Sequence, residues 1–411
     1  EAEEHQSRML VLLERLDPDC NQPDYLAQRG QVLAKRAHQR YLQGRLAERD
    51  ADLAALSALA EASGDEGLRL QALIHRTRYL NLEARYEESI AAAEEGLSLA
   101  ERLNDTAARC RLLAQIGFAH YFLGQPRPAL MALESALALS GEQPDPEMRG
   151  RIFHNLGYVH LHLGEYAKAL DYQQKAYACH QAIGEYNRMA WAGLDIGFLH
   201  LKLGDFTEAE EHLTESLALV RQIGARSPKA YALTYLGYWD LYRGHYAAAV
   251  DRLRQTLPMQ QAMRTEHGVV AVEVGLGLAL HHLGDYAEAR CRLQDAVQRA
   301  RSVNHRRRLI EALVGLGLVE VADGQPLAAH PHLTEAVELA RVSECRENLA
   351  AGLAALARAE RQTGDVAGAL PHAHEAVHVA HETDLPVCEM WGEMEIGLSL
   401  LAQGKPVAAL K

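Results

Sequence analysis

An all-α solenoid, a row of helical hairpins stacked side by side, is the fold class this sequence predicts. Three observations predict it. A glycine-bearing turn recurs every 40 residues, at Gly44, Gly124, Gly164, Gly204, Gly244, Gly284, Gly324, Gly364 and Gly404, with Ala84 in the remaining slot. Between the turns, apolar residues recur at helical spacing, as in Ile152, Leu156, Val159 and Leu163. No convincing stretch of strict apolar alternation marks a strand. Hairpins of this length cannot bury an apolar face alone, so neighbours must stack.

The elements follow in order. Glu4 to Leu16 reads as the second helix of an earlier, partial repeat, and 1–23 as that helix plus a linker. Residues 24–411 then hold nine to ten repeats of 40 residues. In the unit from 149, a first helix runs to 163 and Gly164 closes it; a second runs from Glu165 to Ile183 and stops at Gly184. Glycine accepts the left-handed conformation such stops require. The same closing column holds Gly64, Asn104, Gly224, Asn304 and Asp384. Seven residues before each turn lies a small column (Gly117, Gly157, Gly197, Gly237, Gly277, Gly317, Ala357, Gly397), which lets two helix backbones approach. Five after it comes Ala129, Ala169, Ala209, Ala249, Ala289, Ala329, Ala369 and Ala409. Pro126, Pro326 and Pro406 fit the first turn of a second helix. Pro144, Pro146, Pro228 and Pro386 read as lying between units, and Pro258 should kink its helix. Lys411 falls inside the second helix of a tenth unit and no polar caps are visible, so a fragment of a larger protein is expected.

Composition narrows the function. The 411 residues carry 42 Lys plus Arg against 55 Asp plus Glu, a net charge of −13, which disfavours nucleic acid as a partner. No long apolar run predicts a membrane span. The cysteines (Cys20, Cys110, Cys179, Cys291, Cys345, Cys388) form no CxxC pair, which suits free thiols in a reducing cytoplasm.

The columns resemble the tetratricopeptide repeat (TPR). Its Leu-Gly pair, turn-plus-aromatic and two alanines read here as Leu156-Gly157, Gly164-Glu165-Tyr166, Ala169 and Ala176, and again as Leu276-Gly277, Gly284-Asp285-Tyr286, Ala289 and Ala296. The usual repeat has about 34 residues; the longer unit looks like the sensor regions of bacterial STAND-type signalling ATPases and related transcription activators, and like eukaryotic adaptors that bind extended peptides. The resemblance implies a right-handed superhelix whose inner wall is made by the first helix of each pair. On that implication the groove is lined by Arg111, Phe118, Tyr121, Phe122, Arg151, His154, Tyr158, His162, Trp191, Phe198, Lys202, Tyr231, Tyr238, Tyr242 and His282. An aromatic ladder with Arg, Lys and His beside it is a docking surface in composition, and the same rings would equally serve as filling within the repeats.

Other constellations point to chemistry less well. His120, His160 and His200 share a column, but successive units stand about 10 Å apart, too far for one zinc ion; packing histidines bonded to neighbours are expected. His374-Glu375-Ala376-Val377-His378 matches HExxH, yet Glu375 and Ala376 are repeat residues, so a solvated helical face is expected. The run His305-Arg306-Arg307-Arg308 reads as a solvated junction between units. No GxxxxGK[ST] loop occurs. The reading is therefore a non-catalytic binding module without cofactor or metal: the sensor of a cytoplasmic, STAND-like signalling protein, with a peptide or small-molecule inducer in the groove and an effector, such as an NTPase domain, outside the fragment. The alternative is a constitutive adaptor binding an extended peptide. Since solenoid contacts run only between neighbours, pitch is expected to change cheaply on binding.

Overall fold

The structure, a computed structural model, describes residues 2–19, 22–141, 145–263, 266–383 and 385–409. Cys20, Pro144, Asp384 and Lys411 lie outside the described residues. A lone helix α1 (Ala2–Leu16) precedes the hairpins α2 (Pro23–Leu42) with α3 (Leu46–Ser63), α4 (Glu66–Leu82) with α5 (Tyr86–Arg102), α6 (Thr106–Phe122) with α7 (Pro126–Ser140) and α8 (Pro146–Leu163) with α9 (Tyr166–Ala182). Then come α10 (Tyr186–Leu203) with α11 (Phe206–Gln222), α12 (Arg226–Tyr242) with α13 (Tyr246–Ala262), α14 (Glu266–Leu283) with α15 (Tyr286–Ser302) and α16 (Arg306–Ala322) with α17 (Pro326–Val342). The series ends with α18 (Arg346–Thr363), α19 (Val366–Glu382), α20 (Pro386–Ala402) and α21 (Pro406–Ala409). No strand occurs among the described residues. The protein is an all-α solenoid of TPR-like hairpins.

Every predicted glycine turn has positive φ, and Ala84 adopts it too, at +58°. The residue after the turn donates its N–H back to the carbonyl five positions earlier, as Asp205 does to His200 at 2.9 Å and Asp365 to Glu360 at 2.9 Å. That is the Schellman closure, which satisfies carbonyls a helix end would otherwise strand. The closing column also has positive φ at Gly64, Asn104, Gly184, Gly224 and Asn304, and at Glu344, with φ +53°, which sequence reading passed over. Pro146, Pro228 and Pro386 lie within the first turns of α8, α12 and α20 rather than between units; their missing N–H costs nothing there. α13 continues through Pro258 without interruption, at the loss of one ladder bond.

The chain divides into two compact units. The first comprises Glu1–Ala119 with Met131–Met148 and the second His120–Leu130 with Arg149–Lys411. In the first, Leu10, Leu13, Leu26, Leu56 and Leu68 pack together, and buried Asp52 takes Arg36 at 2.5 Å and Arg40 at 2.8 Å. In the second, one continuous core runs from Leu161 to Cys388. Its small column works as expected. A Cβ built on Gly277 would stand 2.4 Å from Leu293 Cγ, and one on Gly317 2.4 Å from Leu333 Cγ. Where the column carries Ala357, the residue sixteen later is Ala373, and the two pack together.

First helices also pack on the first helices of the next hairpin: α10 on α12, α12 on α14, α14 on α16, α16 on α18 and α18 on α20. Helices on the inside of a bend are drawn together, so in this unit the first helices form the inner wall.

Candidate functional site

The expected groove residues fall into both units. Arg111 and Phe118 belong to the first, where exposed Arg111 borders a cavity of about 70 Å³ with Thr106, Cys110 and Met148. The others lie in the second. There Tyr121 stacks on Tyr158 at 5.8 Å and meets His162 edge-on at 6.0 Å. His154 abuts Tyr158 at 4.6 Å and Trp191 meets Tyr231 at 4.8 Å. Phe198 contacts Tyr238, which reaches Tyr242. Phe198 and Tyr238 are each only 3% exposed; they fill the core, and cutting them to Ala opens cavities rather than testing recognition. Arg151 lies near His180, and His282 stacks on Tyr246 at 4.4 Å, away from these ring contacts.

Two residues central to this wall escaped sequence reading. Tyr235 stacks on Phe198 at 4.8 Å, and its hydroxyl, with that of Tyr158, bonds to buried Asp195. Burial pushes the Asp195 carboxyl up to about 7 despite these two hydroxyl donors. An acid in the middle of an apolar first helix carries no motif to announce it.

The second departure concerns reach. Arg127 pairs with Glu344 at 2.7 Å, His162 Nε2 donates to the Ser343 carbonyl at 2.7 Å, and Lys202 Nζ donates to Glu347 at 2.8 Å. Phe122 packs on both His267 and His305 at 5.2 and 5.1 Å. These contacts span 145–217 residues for the polar bonds, so the expectation of neighbour-only contact is wrong in the second unit. The ends of α6, α8 and α10 meet the starts of α14, α16 and α18, and curvature cannot change without breaking them.

The basic run is likewise not a solvated junction. Arg307 is buried and Arg308 nearly so, with side chains 6% and 11% exposed. Arg308 Nη1 donates to Glu311 at 2.6 Å, and Lys202 also donates to the Tyr242 hydroxyl at 2.6 Å. Burial alone would raise the Glu311 carboxyl, but Arg308, Arg307 and Lys202 overcome it and hold it at about 2. Burial and Arg307 push His162 down to about 4, and burial and Arg308 do the same to His267. Three arginines opening a helix read as a solvated face; only the fold back toward Lys202 of α10 covers Arg307 and Arg308.

The histidine column does bond to neighbours. Nδ1 of His120, His160 and His200 lies 2.6, 2.5 and 3.2 Å from the side chains of Gln125, Glu165 and Asp205, tying each first helix to its turn. In three later units the same slot is acidic and pairs twelve residues on, Asp240 with Arg252, Glu320 with His332 and Glu360 with His372, while Leu280 takes it in between. In the HExxH stretch, His374 and His378 are exposed and Glu375 pairs with Arg341 at 2.6 Å, as a solvated face does. No cluster of three or more potential metal ligands occurs among the described residues.

A tetratricopeptide-repeat family model matches residues 149–222, 188–262 and 268–341. No curated protein sequence matches the chain. Among solved structures, the Rap conjugation gene regulator of plasmid pLS20, in complex with the Phr* peptide, aligns with TM-score 0.60 at 12% identity, over 87% of this chain and 96% of that one. A Rap protein complexed with competence and sporulation factor gives 0.55 at 11%, over 83% and 99%. The apo quorum sensor NprR from B. thuringiensis gives 0.55 at 14%, over 84% and 97%. At such identities the likeness is one of fold. Between residues 149 and 341 this chain is built of tetratricopeptide repeats, and the hairpins on either side keep the same 40-residue step.

Proposed function

We propose that this chain is a non-catalytic sensor module that holds a peptide or small molecule against the inner wall of its second unit. One observation carries the reading: the wall's rings and charges converge on contacts that join hairpins far apart in sequence, Lys202 with Glu347 above all. A ligand seated there competes with those contacts and so changes curvature, which is how occupancy becomes a signal. The fold likeness to Rap and NprR proteins, some of them solved with peptides, supports a peptide ligand. A STAND-like, cytoplasmic setting is the finer part of the proposal and rests on the long repeat; no described helix is long and apolar enough to cross a membrane.

Selection from a random displayed peptide library, followed by hydrogen exchange on the bound protein, tests it. Enriched peptides should bind at least ten-fold more weakly when half-buried Trp191 and exposed Tyr242 are both changed to Ala, and should alter exchange at 343–347. Binding with unchanged exchange at 343–347 would identify a constitutive adaptor instead. Protection confined to the second helices would remove the inner wall from consideration.

A further inference from the structure

Within the inner wall, and resting on its reading as a ligand site, the charges do not balance. Lys202, Arg307 and Arg308 face Glu311 and Glu347. Two pairs are well made, Lys202 with Glu347 at 2.8 Å and Arg308 with Glu311 at 2.6 Å. Arg307 is the remainder. Its Nη2 makes only longer ion-pair contacts, 3.3 Å to Glu311 Oε1 and 3.8 Å to Glu347 Oε2, the oxygens that Arg308 and Lys202 leave, and its Nε and Nη2 make no hydrogen bond of good geometry among the described residues. The Tyr121 hydroxyl, the Cys345 thiol and the His162 and His305 rings also lie near it, and none of them is a carboxylate. A buried lysine escapes such a position by losing its proton; a guanidinium cannot. An unbalanced buried charge is costly, and a planar fork with free N–H groups is shaped for a carboxylate or a phosphate. From exposed Tyr242 a run of polar contacts leads inward through Lys202 and Glu347 to this side chain.

We propose that Arg307 anchors an oxyanion-binding subsite on the inner wall, and that the ligand of this protein carries a compact oxyanion, a carboxylate or a phosphate, which completes the charge balance of the Lys202–Glu347 and Arg308–Glu311 pairs.

The test is thermal denaturation of the full chain in chloride, acetate or inorganic phosphate at one ionic strength, for the parent and for Arg307→Met. Because both remaining pairs stay matched in the variant, it should melt no lower than the parent in chloride. The parent should gain a few degrees more than R307M in one oxyanion, since the general stabilisation by kosmotropic anions is shared by both. A response to phosphate alone assigns a phosphoryl group, and a response to acetate a carboxylate. An R307M chain that fails to fold, or melts lower in chloride, shows Arg307 to be a structural ion-pair partner and overturns the proposal. So does a parent whose shifts in acetate and phosphate equal those of R307M. Neither result depends on finding a peptide, so the sensor reading stands or falls separately.

Discussion

Ala84 occupies the turn slot that glycine holds in the other repeats, and its φ of +58° is the left-handed conformation. A side chain there costs about 1–2 kcal/mol, while glycine's extra unfolded-state freedom costs about 0.5–1 kcal/mol. The first effect wins, so Ala84→Gly should stabilise the first unit by about 0.5–1 kcal/mol. Denaturant melts measure it, and a destabilised variant would contradict the strain. Glu344 carries the same conformation at +53° but is held by two hydrogen bonds from Arg127, at 2.7 and 2.9 Å. Its strain is tied to the closing of the second unit.

The unit of construction is the pair of helices pressed together through the small column. At Gly277, a methyl group would stand 2.4 Å from Leu293 Cγ. Alanine gains about 1 kcal/mol of helix propensity, and overpacking costs about 1–3 kcal/mol. Gly277→Ala should therefore destabilise by about 1 kcal/mol. Leu293→Ala alone leaves a cavity costing about 2–5 kcal/mol. The double variant should cost less than the sum, since the small-small arrangement already exists at Ala357 and Ala373. A double-mutant cycle checks this, and strict additivity would mean the columns do not meet. Both members of each pair stand in the sequence, sixteen residues apart, so this packing is legible there.

At the scale of the molecule, acid sensitivity follows from the buried histidines. His75, His154, His162, His180, His267 and His281 are all pushed below 6.5, chiefly by burial, most of them to about 4. Between pH 6.5 and 4 the unfolded chain binds more protons than the folded one. Stability is full above pH 6.5 and is lost as pH falls toward 4. Glu311, held at about 2, extends the loss below the ordinary carboxyl range. His372, raised by its bond to Glu360, opposes the trend alone among the shifted histidines. Melting temperature should decline steadily from pH 7 to 4, and a level profile would show these imidazoles to be solvated.

Periodicity was enough to place the helices, their turns and the small column that lets helices approach, because each depends on residues within one 40-residue step, and the resemblance to the tetratricopeptide repeat supplied the inward first helices. Which rings fill and which line was not legible: Phe198 and Tyr158 occupy the same column, yet one is buried and the other partly open. Nor was the fate of Arg307 and Arg308. A local pattern describes a helix face but not what curvature carries onto it. The meeting of 120–202 with 267–347 comes from small angles summed over several hairpins, a quantity no single repeat contains.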